Sequence, residues 1–256
     1  CTLIILSVTI TRLFLNLSFR LVSRRGMNFL MTLSGDKSLY GIFSMEGASP
    51  LCGDLKMLEI FFQMGLRAIG LTWNHRNELA DGLGVQSRYG LTAFGRNVIR
   101  RMNQLGMVVD LAHINETGFW EALELSEAPT IVSHANAKAL CSHRRNLTDE
   151  QLKAIRDKNG FVGICFAGGF LAEDETQASV TDVLKQIDYI CELIGPDHVA
   201  FGSDYDGILY PPKGLEEVSC WPLLIQALKD LGYYQEVLAK ITYKNVLRVY
   251  NEVLPD

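Results

Sequence analysis

Glu46, His113 and His134 stand at the ends of three strand-like runs, YGIFS, MVVDLA and PTIVS, far apart along the chain. A fourth such run, HVAFGS, ends at Asp204. Carboxylate and imidazole are the oxygen and nitrogen donors that a borderline cation such as zinc accepts. A barrel of parallel strands gathers such donors by offering one at the C-terminal end of each of several strands. The pattern points to metal-assisted hydrolysis, in which a position on the metal stays open for water.

Other polar residues fall on the same side of the expected strands. Asp204, directly after an apolar run, is placed to pass a proton from water to a leaving amine, while Asp206 shapes the FGSDYDG loop. Arg144 and Arg145 lie in HRRNLTDE, and an arginine there suits a substrate with a free carboxylate, which it grips through two parallel hydrogen bonds. In LTWNHRNELADG, Trp73, Asn74 and His75 are candidates to line a pocket, with His75 able to donate to the oxyanion of a tetrahedral intermediate. His198 opens a strand, at the opposite end, and reads as structural.

The elements that must carry these residues show in the hydrophobic periodicity. Strand-like runs occupy 38–45, 67–72, 107–112, 129–133, 160–166 and 198–203. Between them lie stretches with apolar residues at i, i+3, i+4 and i+7, among them DLKMLEIFFQMG, LTAFGRNVIRRMNQLG and SVTDVLKQIDYICELIG. Thr148 and Gln151 form a capping-box pattern, and Gly65, Gly106, Gly160 and Gly195 follow helices as C-caps. A final pair of helices is expected over 215–231 and 234–249. Strict alternation of strand and helix predicts a parallel sheet with right-handed crossovers. The fold class is α/β, a (β/α)8 TIM-barrel-like single domain over 1–256, with CTLIILSVTI as a seventh strand and an eighth not visible.

Composition sets limits. The chain has 256 residues, 48% of them hydrophobic, enough for one large core. A net charge of -5, with only a short basic run at Arg20–Arg25, excludes nucleic acid as a partner class. The apolar opening is interrupted by Arg12 after eleven residues, too few for a membrane span. It lacks a basic n-region and a cleavage site, so it reads as strand plus helix. Six scattered cysteines without a C-x-x-C pair read as reduced core thiols of a cytoplasmic protein. Sequons at Asn16, Asn115 and Asn146 matter only in a secreted chain.

Taken together, FSMEGASPL, LTWNHRNELADG, GLTAFGRNVIRRMNQLGMVVDLAHI, PTIVSHANAKALCSHRRNLTDE and FGSDYDG resemble the membrane dipeptidase (renal dipeptidase) family of zinc peptidases, in its bacterial-type branch, over 38–250. The resemblance implies a dipeptidase that uses a metal-activated hydroxide on an amidohydrolase-type barrel. It implies that Glu46 is similar to the carboxylate bridging two zinc ions and His113 and His134 to the imidazoles of one of them. Arg145 resembles the residue that grips the substrate carboxylate, and Asp204 the acid/base. The family's catalytic histidine after the LT pair falls on Trp73, which leaves His75, two places later, as the candidate in its stead.

The family's opening His-x-Asp, which ligates the other zinc, has no counterpart, because no histidine precedes His75. Residues 1–37 are therefore expected to be a truncated or divergent start, with one zinc retained rather than two. The alternatives are a one-metal homologue with weak or no catalysis, or a related amidohydrolase acting on N-acyl amino acids or lactams. The expected partner is a dipeptide, and a homodimer is left open.

Overall fold

A computed structural model of the chain describes residues 3–8, 20–21 and 40–255. The Asn16 sequon and most of the Arg20–Arg25 run lie outside them. The strands are β1 (Leu3–Val8), β2 (Arg20–Leu21), β3 (Tyr40–Glu46), β4 (Leu66–Gly70), β5 (Val108–Asp110), β6 (Thr130–Ala135), β7 (Phe161–Ile164) and β8 (Val199–Phe201). The main helices are α1 (Leu55–Gln63), α2 (Ala93–Leu105), α3 (Glu116–Leu125), α4 (Asp149–Asp157), α5 (Gly168–Leu171), α6 (Val180–Ile194), α7 (Trp221–Asp230), α8 (Gln235–Ala239) and α9 (Asn245–Val253). The strand order is β1-β3-β4-β5-β6-β7-β8, with β2 also paired to β3. The strand pairings with described register are parallel, among them Glu46 with Gly70 and Gly70 with Asp110. Each expected strand run carries a strand, CTLIILSVTI included.

The chain divides into two compact units, Cys1–Ile131 with Leu247–Asp256, and Val132–Val246. In the first, α2 buries Val98, Ile99 and Met102 on one stripe while Arg100 stays exposed, the face division that i, i+3, i+4 spacing dictates. Leu58 of α1, Ile69 of β4 and Val108 of β5 are fully buried. In the second, Val183, Ile187 and Ile190 of α6, Phe161 and Ile164 of β7 and Leu224 and Leu228 of α7 form the core. Each such side chain contributes about 1.5–3 kcal/mol of burial.

Helix ends follow local chemistry, with three departures from expectation. Thr148 and Gln151 form the capping box, and Gly106 ends α2 with φ 68°. After α4, however, the left-handed residue is Asn159 (φ 57°) rather than Gly160. Asparagine tolerates that region because its short amide can bond locally. The expected 215–231 helix starts only at Trp221, where Pro222 fits the first turn and needs no N–H partner. The expected 234–249 helix is interrupted by a π turn at Lys240–Lys244, where Thr242 Oγ1 donates to the Leu238 carbonyl.

The cysteines only partly match the expectation of core thiols. Cys141 and Cys165 are buried, but Cys52 is exposed. Two sequons turn out to be structural amides. Buried Asn115 caps α3 by accepting from Gly118 N, and buried Asn146 donates to the Cys141 and Phe170 carbonyls. His198 directs Nδ1 to the Gly160 carbonyl at 2.8 Å, as a structural histidine should. Among the described residues no helix is long and apolar enough to cross a membrane.

Candidate metal centre

Three different backbone devices present the donors. Glu46 is the last residue of β3, and Gly47 (φ 79°) turns the chain immediately after it, its N–H donating to the Gly70 carbonyl. His113 lies three residues past β5. Asp110 Oδ1 accepts from Ala112 N and folds the chain over, and His113 itself takes a left-handed conformation at φ 67°. That conformation is uncommon outside glycine, although histidine enters it more readily than most residues, and it is held here by the surrounding loop. His134 sits within β6, beside Ser133, whose Oγ is 2.9 Å from His134 Nδ1.

One ligand atom from each of Glu46, His113 and His134 lies within 4.8 Å of the other two. His113 Nε2 is 2.9 Å from Glu46 Oε1, and both histidines are buried, at 7% and 6% exposure. Two ligands at about 2.0–2.1 Å from one zinc ion can be at most about 4 Å apart, so the histidine–glutamate spacing fits a shared ion. On each ring Nδ1 has an oxygen neighbour, Asn74 Oδ1 for His113 and Ser133 Oγ for His134. This is the outer layer that metal-ligating histidines ordinarily have. The two nitrogens and one carboxylate suit a divalent metal with a position left for substrate or water.

The remaining expected residues lie as follows. Asp204 is half-buried in a left-handed conformation (φ 60°) at the start of the Tyr205–Gly207 turn, and it is not a member of the three-residue cluster. Asp206 is exposed on that turn. The structure separates the arginine pair. Arg144 is exposed, whereas Arg145 is buried, with its guanidinium 5.4 Å above the Phe170 ring and Nη2 donating to the His134 carbonyl at 3.4 Å. Trp73 is half exposed, and its ring lies 6.3 Å from that of His113. His75 is exposed and packs edge-on against Trp73, with ring centroids 5.9 Å apart.

Several contributors escape sequence reading. Ser133 is one. Another is His143, stacked on Phe170 at 4.5 Å and accepting at Nδ1 from Arg145 N. Burial, followed by the charges of Arg145 and Arg144, pushes the His143 ring below its ordinary pKa. Asp81 is a third, buried at 2% exposure and held below the usual carboxylate range chiefly by its hydrogen bond from Arg76. Residue type and hydrophobic spacing mark none of these three: Ser133 and Asp81 act on near neighbours through side-chain geometry, and only the stacking of His143 on Phe170 joins distant residues.

The model of the membrane dipeptidase family (peptidase family M19) matches residues 18–254. An uncharacterized protein in the pqqA 5' region of Klebsiella pneumoniae is 40% identical over 227 residues, which is 85% of this chain and 83% of that protein. Dipeptidase aclJ of Aspergillus oryzae is 37% identical over 229 residues, 88% of this chain but 54% of the relative. The chain thus spans only about half of the fungal dipeptidase. A solved metallopeptidase of Rhodobacter sphaeroides, liganded with a phosphinate mimic of L-Ala-D-Ala, matches with TM-score 0.85 and 33% identity over 92% of this chain and 69% of its own. This likeness bears out the expected TIM-barrel-like α/β class. The chain belongs to the membrane dipeptidase family, peptidase family M19.

Proposed function

We propose that the chain is a zinc-dependent dipeptidase in which Glu46, His113 and His134 hold one tightly bound ion. The observation that carries the reading is the convergence of those three donors within 4.8 Å. Zinc at such a site polarises a carbonyl and acidifies water. The chain's own residues supply the rest. Arg145 holds the substrate's C-terminal carboxylate, which limits the substrate to very short peptides; its burial against Phe170 supports a fixed guanidinium plane. Asp204 takes a proton from water and returns it to the leaving amine. Trp73, beside His113, walls the substrate, and His75 from the same loop donates to the developing oxyanion.

The test combines metal analysis of the purified chain with hydrolysis of L-Ala-L-Ala, L-Ala-D-Ala and N-acetyl-alanine. About one zinc per chain is expected, lost in Glu46→Gln and in His134→Ala. Turnover of the dipeptides is expected to exceed that of the N-acyl compound. A chain that takes up no zinc, or that keeps it after both substitutions, refutes the assignment of the ligands. Faster cleavage of N-acetyl-alanine refutes the substrate class.

A further inference from the structure

We infer that Asn74 is the positioning residue of His113: its amide oxygen selects the ring tautomer that turns a lone pair toward Glu46, and so sets metal affinity. The inference rests on the reading of Glu46, His113 and His134 as one metal site. Asn74 Oδ1 lies 2.9 Å from His113 Nδ1, across 39 residues of sequence. An amide oxygen only accepts, so Nδ1 carries the proton, and the neutral ring then has its lone pair on Nε2. That atom is 2.9 Å from Glu46 Oε1, a spacing that suits a cation held between the two, since without one this tautomer would set two acceptors face to face. With the opposite tautomer, Nδ1 would oppose one lone pair to another, and Nε2 would carry a proton where the cation must sit.

The loop that bears Asn74 also holds the His113 backbone. His113 is kept in its left-handed conformation by Leu83 N, which donates to the His113 carbonyl at 2.8 Å. Gly82 bridges to Ile114, and Asn115 N donates to the Asp81 carbonyl at 3.0 Å. Asn74 is clamped in turn. Gly84 N donates to the Asn74 carbonyl at 2.8 Å, and a Cβ on Gly84 would lie 2.4 Å from that same oxygen. A Cβ on Gly82 would come within 2.1 Å of the Trp73 carbonyl and 2.6 Å of the Asn74 carbonyl carbon. The two glycines of ADGLG are therefore required by close backbone approach. Asn77 closes the other side, accepting from Leu79 N and Ala80 N while donating to the Leu71 carbonyl. One loop thus fixes both the main chain of His113 and the orientation of its ring.

The experiment uses the full chain and cobalt(II) alone as the probe, with affinity read by competition against a chromophoric chelator. Asn74→Leu, of similar size and without an acceptor, is expected to weaken cobalt binding by about 10–100-fold, the usual effect of removing an outer-layer partner. Asn74→Asp keeps the acceptor and is expected to stay within about threefold of the parent chain or to bind more tightly, because a carboxylate raises the basicity of the ligating ring. Equal weakening by both substitutions, or by neither, overturns the inference. Should Asn74→Leu not fold, nitrogen NMR of the cadmium-loaded parent chain decides: coupling of the metal to His113 Nε2 with Nδ1 protonated supports it, and coupling to Nδ1 overturns it. A parent chain that takes up no cobalt removes the metal-site reading itself and this inference with it. Cobalt bound undiminished by Asn74→Leu leaves the site standing and removes the inference alone.

Discussion

Gly163→Ala should be among the most damaging single-methyl additions in the second unit, and the coordinates give the reason. Gly163 lies in β7, opposite Ala200 of β8, with no positive φ to relieve or to penalise. A Cβ built there falls 2.0 Å from the Ser133 carbonyl oxygen, 2.9 Å from its carbon and 3.0 Å from Gly202 Cα. All three are backbone atoms. Carbon–oxygen contact at the ordinary van der Waals distance of 3.4 Å would require β6 and β7 to part by roughly 1.4 Å, against an interstrand spacing of about 4.8 Å. Ladder hydrogen bonds of about 2.9 Å would then stretch beyond useful length. Loss of two such bonds at about 1 kcal/mol each, with overpacking strain of about 1–3 kcal/mol, puts the cost near 3–5 kcal/mol.

The assay is urea unfolding at fixed pH, with Gly232→Ala as the control. Gly232 has φ 92° and nothing within 4 Å of its added Cβ, so it suffers only the conformational penalty of about 1–2 kcal/mol. With a slope of about 2 kcal/mol per molar, Gly163→Ala should lower the midpoint by roughly 1.5–2.5 M and Gly232→Ala by less than about 1 M. Gly202→Ala meets the same Ser133 oxygen, also at 2.0 Å. The double variant should therefore cost less than the sum of the singles, because one displacement of that carbonyl relieves both clashes. Ser133 precedes His134 and lies against its ring, so metal affinity should fall along with stability. A Gly163→Ala chain no less stable than Gly232→Ala would refute the packing of β6 against β7 on which the placement of His134 depends.

Arg145→Lys replaces a planar fork by a point charge. Affinity for Ala-Ala should drop about tenfold to a hundredfold, the equivalent of one charge-assisted hydrogen bond, while affinity for Ala-Ala-amide stays unchanged in calorimetric titration. Equal loss for both ligands would mean that Arg145 does not meet the carboxylate. The Asp81 carboxyl is depressed in the folded chain by its bond from Arg76, so its contribution is present above the ordinary carboxylate pKa of about 3.9 and is lost as pH falls through the lower folded value. The urea midpoint of the parent chain should exceed that of Asp81→Asn by a constant margin between pH 5 and 7, and the margin should close below about pH 4. A margin that widens with acid contradicts the sign. Thr148→Ala should cost about 1 kcal/mol in the same assay through loss of the capping box, and Thr148→Ser should restore most of it. Equal cost in both variants would show that the cap hydroxyl contributes nothing.

What the sequence makes legible here is whatever depends on near neighbours or on residue type. Apolar runs bounded by turn formers locate β3 to β8, and donors at the ends of such runs are few enough that Glu46, His113 and His134 stand out. Choices between adjacent residues are not legible. Residue type alone does not separate Arg144 from Arg145: only the family resemblance singles out the second, and the structure shows it buried against Phe170. The same holds for Asn159 and Gly160: glycine is the better left-handed residue by type, yet the helix geometry delivers that conformation one position earlier.

The outer layer of the site is hidden for a deeper reason. A ligand is declared by its side chain, but its orientation is set by contacts spanning tens of residues, as between Asn74 and His113, and by places where a side chain is missing. Gly163 and Gly202 look alike to any propensity argument, and each matters because the Ser133 carbonyl occupies the volume its Cβ would take. Glycine and asparagine in such loops read as ordinary turn formers, and that reading is locally correct at ADGLG. It is insufficient because the turn they make is the clamp for Asn74 and the support for the strained His113 backbone. On the proposed metal reading, three conspicuous residues supply the donors and inconspicuous ones align them, and substitutions in the second group should alter affinity with no donor changed.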